Sequence, residues 1–136
     1  MLLAFAACSP ALAAIEVLGA QTPAPPPGAP TAAVYFSLRN TGRQADQLLG
    51  VSTPVAGMTM IHSERLEGGV MRMQAEPRLP LAAGATLAMH AGGTHVMLTD
   101  LKRPLLAGQH FPVVLRFAKA GSVPAEVAVV PLGTRP

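Results

Sequence analysis

Residues 58–74 read MTMIHSERLEGGVMRMQ, and this stretch decides the fold. Alternate residues of a β-strand share a face, so both methionines and the histidine of residues 58–62 would lie on one side. Glu67, Gly68 and Gly69 then interrupt the run, and a second alternating run follows in residues 70–74, with its two methionines on one face. Two such runs separated by a glycine turn predict a β-hairpin, although the sequence alone does not fix its register.

Turn residues occur at short intervals along the whole chain, and no amphipathic pattern is longer than two helical turns. This pattern is typical of an all-β protein, and we expect a β-sandwich or barrel of about eight or nine strands. Pro112 suggests an edge strand or a bulge. The expected strands are residues 15–20, 33–39, 47–51, 58–64, 70–74, 86–91, 94–99, 111–117 and 125–130.

Length and composition indicate one globular domain, residues 14–136. The chain has 136 residues, of which 50% are hydrophobic, which is enough to bury a core. The net charge of +3 would suit an anionic partner, but the basic residues are scattered and aromatic residues are few. Lys102 and Arg103 form the only adjacent basic pair, so we do not expect nucleic-acid binding.

The first residues, MLLAFAACSPALAA, are small and apolar and predict a segment like a signal peptide, residues 1–13. Such a segment would direct export of the protein and would be removed by cleavage before Ala14. No basic residue precedes the apolar run, so the start is either truncated or an unusual signal. The alternative is a lipoprotein in which Cys8 is lipidated, although Phe5 stands where such sites prefer leucine.

His62, Met73, His95 and Met97 follow the spacing H-x10-M-x21-H-x-M. Thioether sulfur and neutral imidazole suit Cu(I), whereas zinc sites draw on thiolate and carboxylate, and calcium or magnesium sites on oxygen. Cys8 is the single cysteine and would be lost on cleavage, so no thiolate would be available. We therefore predict one Cu(I) site, formed by these four side chains from three strands.

Each of these residues also has a simpler interpretation. A methionine in an apolar chain usually packs in the core, and a single histidine is usually structural or exposed. His90 and His110 are the competing ligands, which we interpret as a partly exposed residue and a loop residue. The remaining methionines of the hairpin could be packing residues or an outer ring that guides the ion; they are Met58, Met60 and Met71.

This spacing closely resembles that of the periplasmic copper(I) chaperone family PCuAC. The segments around it resemble the same family, namely GVMRM (69–73), GGTHVML (92–98) and LKRPL (101–105). The N-terminal part of that family is also similar to this chain, in PPGAP (26–30) and the following AVYFSLRNTG (33–42). The resemblance implies a cupredoxin-like β-sandwich, and Cu(I) bound by the four residues with the motif spacing. It further implies delivery of copper to cytochrome c oxidase subunit II or to a Sco-type protein, and we expect a monomer. Residues 131–136 lack the His- and Met-rich tail of some relatives, so we expect no second site.

The favoured function is thus a periplasmic Cu(I) metallochaperone that is not an enzyme. The alternative is a periplasmic copper buffer or resistance protein. A blue-copper protein would need a cysteine thiolate, and a β-sandwich interaction module would not bind copper. Transfer by ligand exchange needs a site near the surface, so we expect His95 and Met97 at a partly exposed strand end. We also expect the Lys102 and Arg103 loop to lie close enough to steer an acidic partner, or else to be a solvated turn.

Overall fold

The computed structural model describes residues 14–134; the predicted signal-like segment, including Cys8, lies outside these residues. The described chain is all-β, as predicted, and forms no helix long and apolar enough to cross a membrane. Its ten strands are β1 (Ile15–Pro23), β2 (Ala32–Asn40), β3 (Asp46–Ser52), β4 (Ala56–Glu67), β5 (Val70–Ala75), β6 (Leu79–Leu81), β7 (Thr86–Ala88), β8 (His95–Leu101), β9 (His110–Phe117) and β10 (Gly121–Val130).

The strands follow the order β5-β4-β8-β2-β1-β10-β9-β3-β6, and β7 also pairs with β2. The sheet folds over so that β4 faces β3, where Thr59 Oγ1 donates a hydrogen bond to the Val51 carbonyl. One apolar core fills the space between the two layers and includes Val34, Leu115 and Val127. The outer face of β4, β5 and β8 is left free of this core.

The β4–β5 hairpin has the two-glycine turn that the sequence indicates. Glu67 pairs with Val70, and Gly68 and Gly69 between them have φ angles of 57° and 81°. Positive φ at both central residues is the requirement of a type I′ turn, which matches the twist of the two strands. The turn therefore fixes the register, and with it the residues of β5 that lie beside β4.

Strand β2 divides one of its edges between two partners, and this places β8. Residues 32–34 of β2 pair with β8, and residues 37–39 pair with β7. The chain leaves β7 through Met89, whose side chain is buried, and then turns at Gly92 and Gly93 into β8. This short loop carries His90 and ends at His95, the first residue of β8.

Strands β6 and β10 each contain a proline, a residue that lacks the N–H needed for a hydrogen bond in a sheet. Pro80 is the centre of β6, which lies at the end of the strand order and has β3 as its one partner strand within residues 14–134. Pro124 lies in β10, opposite Val114, at a point where the second edge of β10 has not yet met β1. A missing N–H at an open edge breaks no hydrogen bond of the sheet, so both prolines are tolerated.

Candidate metal centre

Strands β4 and β8 place the two predicted histidines side by side. His62 lies opposite His95, and two residues along the strands Met60 lies opposite Met97. Residues directly opposite each other share a face, so all four side chains lie on the same side of the sheet. The intervening pair, Ile61 and Val96, faces the other way and is buried in the core.

The two imidazole rings are close enough to share one ion. Their centroids are 5.7 Å apart, and the ring planes meet at 88°. A metal bound to a ring nitrogen at about 2 Å lies about 3 Å from the ring centre, so rings on one ion have centroids up to about 6 Å apart. The observed separation therefore fits a shared ion held between His62 and His95.

A hydrogen bond fixes which nitrogen of His95 is free. Its Nδ1 lies 3.2 Å from the carbonyl oxygen of Gly93. A carbonyl oxygen can only accept, so Nδ1 carries the proton and Nε2 keeps its lone pair in the neutral ring. Metal-binding histidines are commonly oriented in this way by a backbone carbonyl on the second nitrogen.

His62 has a polar atom that the protein itself does not satisfy. Its Nδ1 is buried and has no hydrogen-bond partner among the described residues. Leaving a buried polar atom unpaired costs free energy, of the order of 1–3 kcal/mol. An ion bound at this nitrogen would remove that cost, so the donor set fits a metal cargo.

Met73 lies on the same face but one strand further out. It is opposite Glu64 on β4 and diagonal to His62, and its side chain is 52% exposed. Met73 is thus beside one histidine but separated from His95 and Met97 by the width of β4. The structure brings His62, His95 and Met97 together, and it places Met73 at the rim of the group.

The exposed methionines argue against the interpretation that they are packing residues. Met89 is the methionine that lies in the core, at 5% exposure. Those of the hairpin strands are 39–58% exposed, namely Met58, Met60, Met71 and Met73. Among residues 14–134, no three His, Cys, Asp or Glu side chains are placed to hold a metal. The donors on this face are therefore two imidazoles and several thioethers.

Glu64 and Tyr35 set the electrostatics beside the histidines. The ring of Tyr35 lies 6.2 Å from that of His95. Burial raises the pKa of Tyr35 above 10.0, and the negative charge of Glu64 raises it further. The same negative potential favours a cation on this face, where the predicted ligands are neutral. Neither residue is among the four ligands predicted from the sequence.

The expectation of partial exposure holds for Met97 but is wrong for His95. His95 does begin a strand, but it is only 3% exposed, because Tyr35 and the loop before β8 pack around it. The basic loop follows Leu101, at the opposite end of β8 from His95. Lys102 also pairs with Asp100 at 2.8 Å, so the loop does not flank the site. His90 is exposed, and His110 begins β9, so its interpretation as a loop residue is wrong. Among the described residues, neither forms a metal-binding group with His62 and His95.

A family described as "Putative lipoprotein LpqE-like" matches residues 15–129. The protein Lxx21020 of Leifsonia xyli subsp. xyli is 34% identical over 103 residues, which are 75% of this chain and 62% of that relative. The chain thus spans less than two thirds of the length of this curated relative.

Solved structures of PCuAC domains share the fold. The copper-bound PCuAC domain from PmoF2 is 25% identical with a TM-score of 0.76, over 88% of this chain and 95% of that one. The Cu(I) form of DR1885 from Deinococcus radiodurans is 32% identical with a TM-score of 0.70, over 91% and 83% of the two chains. These matches confirm the predicted cupredoxin-like β-sandwich. The chain therefore belongs to the LpqE-like family of PCuAC proteins.

Proposed function

We propose that this chain is a copper(I) metallochaperone: it binds one Cu(I) ion and passes the ion to another protein without catalysing a reaction. The pairing of His62 with His95, among exposed methionines on one sheet face, carries the proposal. Relatives of the same fold bind copper, and the DR1885 structure contains Cu(I), which supports this choice of metal.

The proposed ligands are His62, Met73, His95 and Met97. Two imidazoles give the ion its firm anchors, because His95 is held by Gly93 and His62 has a nitrogen without another partner. Thioethers are weak, soft ligands that favour Cu(I) over harder divalent ions. Met73 lies on the strand at the end of the sheet, so we expect its sulfur to leave first during transfer.

Transfer by ligand exchange follows from this arrangement. An acceptor thiolate approaches the exposed face, forms a bond to copper and displaces one methionine sulfur, while the histidines still hold the ion. The remaining ligands then let go in turn, and copper stays as Cu(I) throughout. We propose that the acceptor is cytochrome c oxidase subunit II or a thiol-bearing protein of the Sco type, and that delivery takes place in the periplasm.

An anaerobic transfer assay tests the chaperone role. The protein is loaded with one equivalent of Cu(I) and mixed with an acceptor domain that has two reduced cysteines, and copper is measured on each after separation. We expect most of the copper to move to the acceptor. Retention of copper by this chain would indicate a copper buffer instead, and failure to load would exclude both functions.

The proposal of export has a separate test. The apolar residues 1–13 support cleavage before Ala14, after which the mature protein would begin at that residue. Intact-mass measurement of the protein recovered from its native host distinguishes the possibilities. A chain starting at Ala14 is the expected result, a lipid-modified Cys8 would show tethering, and an uncleaved chain would contradict export.

A further inference from the structure

Met60 is a sulfur donor that lies close to the two histidines, although it is not part of the H-x10-M-x21-H-x-M spacing. It lies directly opposite Met97, diagonal to His95 and two residues before His62, all on one face. These four residues occupy the corners of a rectangle on two neighbouring strands. The side chain of Met60 is 39% exposed, so it is not required to fill the core.

The geometry of a β-sheet gives the relevant distances. Neighbouring strands lie about 4.8 Å apart, and residues two positions apart along a strand are separated by about 6.7 Å. The Cα atom of Met60 is therefore about 8 Å from that of His95, whereas the Cα atom of Met73, two strands away, is about 12 Å from it. By register, Met60 is the nearer thioether to the ion between the two histidines.

Two features would allow Met60 and Met73 to replace each other as a copper ligand. Met73 is on β5, which among the described residues pairs only with β4, so this strand can move away more easily than β4. Met60 borders a cleft of ≈ 360 Å³ where the pairing with β5 has ended at Ala75. Because the pairing with β5 has ended there and its side chain is 39% exposed, Met60 has room to change rotamer.

We propose that Met60 shares the fourth ligand position with Met73, so that copper keeps two sulfur ligands when β5 moves away. This inference rests on the proposed copper(I) function. In the exchange, the bond from copper to the Met73 sulfur breaks as a bond to the Met60 sulfur forms. Copper stays monovalent, and no proton or electron is transferred. Met60 would thus keep the ion on the protein until an acceptor thiolate arrives.

NMR of the methionine methyl groups shows which sulfurs bind copper, because the resonance of a methyl group shifts when its sulfur binds the metal. The protein is labelled with carbon-13 at the methionine methyls and titrated anaerobically with Cu(I). The affinity of each variant for Cu(I) is measured by competition with a chromophoric chelator. The variants are Met60→Leu, Met73→Leu and the double variant, since leucine keeps the bulk and removes the sulfur.

We expect the Met97 methyl to shift in every variant, and the Met60 methyl to shift on loading of Met73→Leu. Each single variant should lose about tenfold or less in affinity, and the double variant about 100-fold or more. Met58→Leu is the matched control: Met58 is exposed on the same strand and face but lies opposite Thr99, one step further from His62. Its affinity should equal that of the wild type.

The outcomes separate this inference from the proposed function. If the wild type binds Cu(I) with shifts at Met73 and Met97, but the Met60 methyl does not move in Met73→Leu, the inference is wrong and the function stands. Equal affinities of Met73→Leu and the double variant would also overturn it. If the wild type does not bind Cu(I) at all, both are wrong. Unchanged melting temperatures of the apo variants show that the fold is intact.

Discussion

The carbonyl oxygen of Gly93 connects two strands of the candidate site. It accepts a hydrogen bond from His95 Nδ1 at 3.2 Å and from the Glu64 backbone N–H at 3.3 Å. One backbone atom therefore sets the orientation of an imidazole on β8 and anchors β4 beside it. This arrangement holds the two histidines in place before any metal arrives, so little reorganisation is needed on binding.

Tyr35 allows the electrostatics of the site to be measured, because it is the only tyrosine in the chain and there is no tryptophan. Glu64→Gln removes the negative charge that raises the pKa of the phenol, but it leaves the burial that contributes most. We expect the variant to have a lower Tyr35 pKa than the wild type, still above 10.0. Ultraviolet titration of the phenolate measures both values, and an unchanged pKa would show that Glu64 does not act on this face.

Asp46 anchors the turn between β9 and β10 to β3. Its carboxylate accepts hydrogen bonds from the backbone N–H groups of Gln47, Lys119 and Ala120, at 2.8–2.9 Å. Burial by itself raises the pKa of this carboxyl, but the three donors and the charge of Lys119 outweigh it and hold the pKa below 3.8. The stabilisation is therefore complete above pH 3.8 and is lost as the pH falls through the lowered pKa.

Asp46→Asn tests this anchor. The amide has one oxygen in place of two, so at least one backbone N–H loses its acceptor. We expect the free energy of unfolding at neutral pH to fall by about 1–3 kcal/mol. Denaturant unfolding at several pH values should show this difference shrinking below pH 3.8. The control is Glu126→Gln, an exposed carboxylate on β10. A difference that grows in acid would contradict the assignment.

At the scale of elements, the β4–β5 hairpin decides where Met73 lies. The strand β5 pairs with β4 along its whole length and has no second partner strand among the described residues. Every residue of β5 is exposed. The type I′ turn at its base therefore controls the register of the strand, and a change there should reach the copper site without disturbing the core.

Gly68→Val and Gly68→Asn form a matched pair for this turn. Valine in the left-handed region costs about 1–2 kcal/mol, whereas asparagine is accepted at the first central position of a type I′ turn. We expect Gly68→Val to lose this amount of stability, to exchange the amides of β5 faster, and to bind Cu(I) more weakly. Gly68→Asn should resemble the wild type, and equal behaviour of the two variants would show that the turn does not control β5.

Much of this hairpin could be predicted from the sequence, because its signals are local. The alternation of residues 58–64, the two glycines and the run in residues 70–74 specify two strands and their faces, as the structure shows. The spacing of His95 and Met97 likewise put both on one face of a strand. The register of the hairpin was left open by the sequence, and it is the structure that places Met73 opposite Glu64.

Features that depend on distant parts of the chain could not be predicted. The opposition of His62 and His95 comes from the pairing of β4 with β8, and the parallel pairing of β1 with β10 joins the two ends of the described chain. The burial of His95 depends on Tyr35, which is sixty residues earlier in the sequence. No local pattern contains this information.

At the scale of the whole molecule, the basic pair Lys102 and Arg103 and the proposed copper site lie at different places. Lys102 follows the far end of β8, five residues beyond Met97, which is about 17 Å along a strand. This exceeds the screening length of about 8 Å at physiological salt, and the charge is already paired with Asp100. The position does not support the idea that this loop steers the acceptor to the ion.

Lys102→Glu should accordingly change the rate of copper transfer by less than about twofold at physiological salt. The comparison variant is Glu64→Gln, which alters a charge beside the histidines and should change the rate more. Stopped-flow measurement of transfer to the thiol-bearing acceptor gives both rates. A large loss of rate in Lys102→Glu alone would restore a docking role for the loop.

The proposed function requires that His62 and His95 hold one Cu(I) ion together with methionine sulfur. X-ray absorption at the copper edge of the singly loaded protein counts the nitrogen and sulfur neighbours of the metal directly. We predict two imidazole nitrogens and two thioether sulfurs around monovalent copper, with one imidazole lost in His95→Ala. A first shell without sulfur, or one that keeps both imidazoles in His95→Ala, would contradict it.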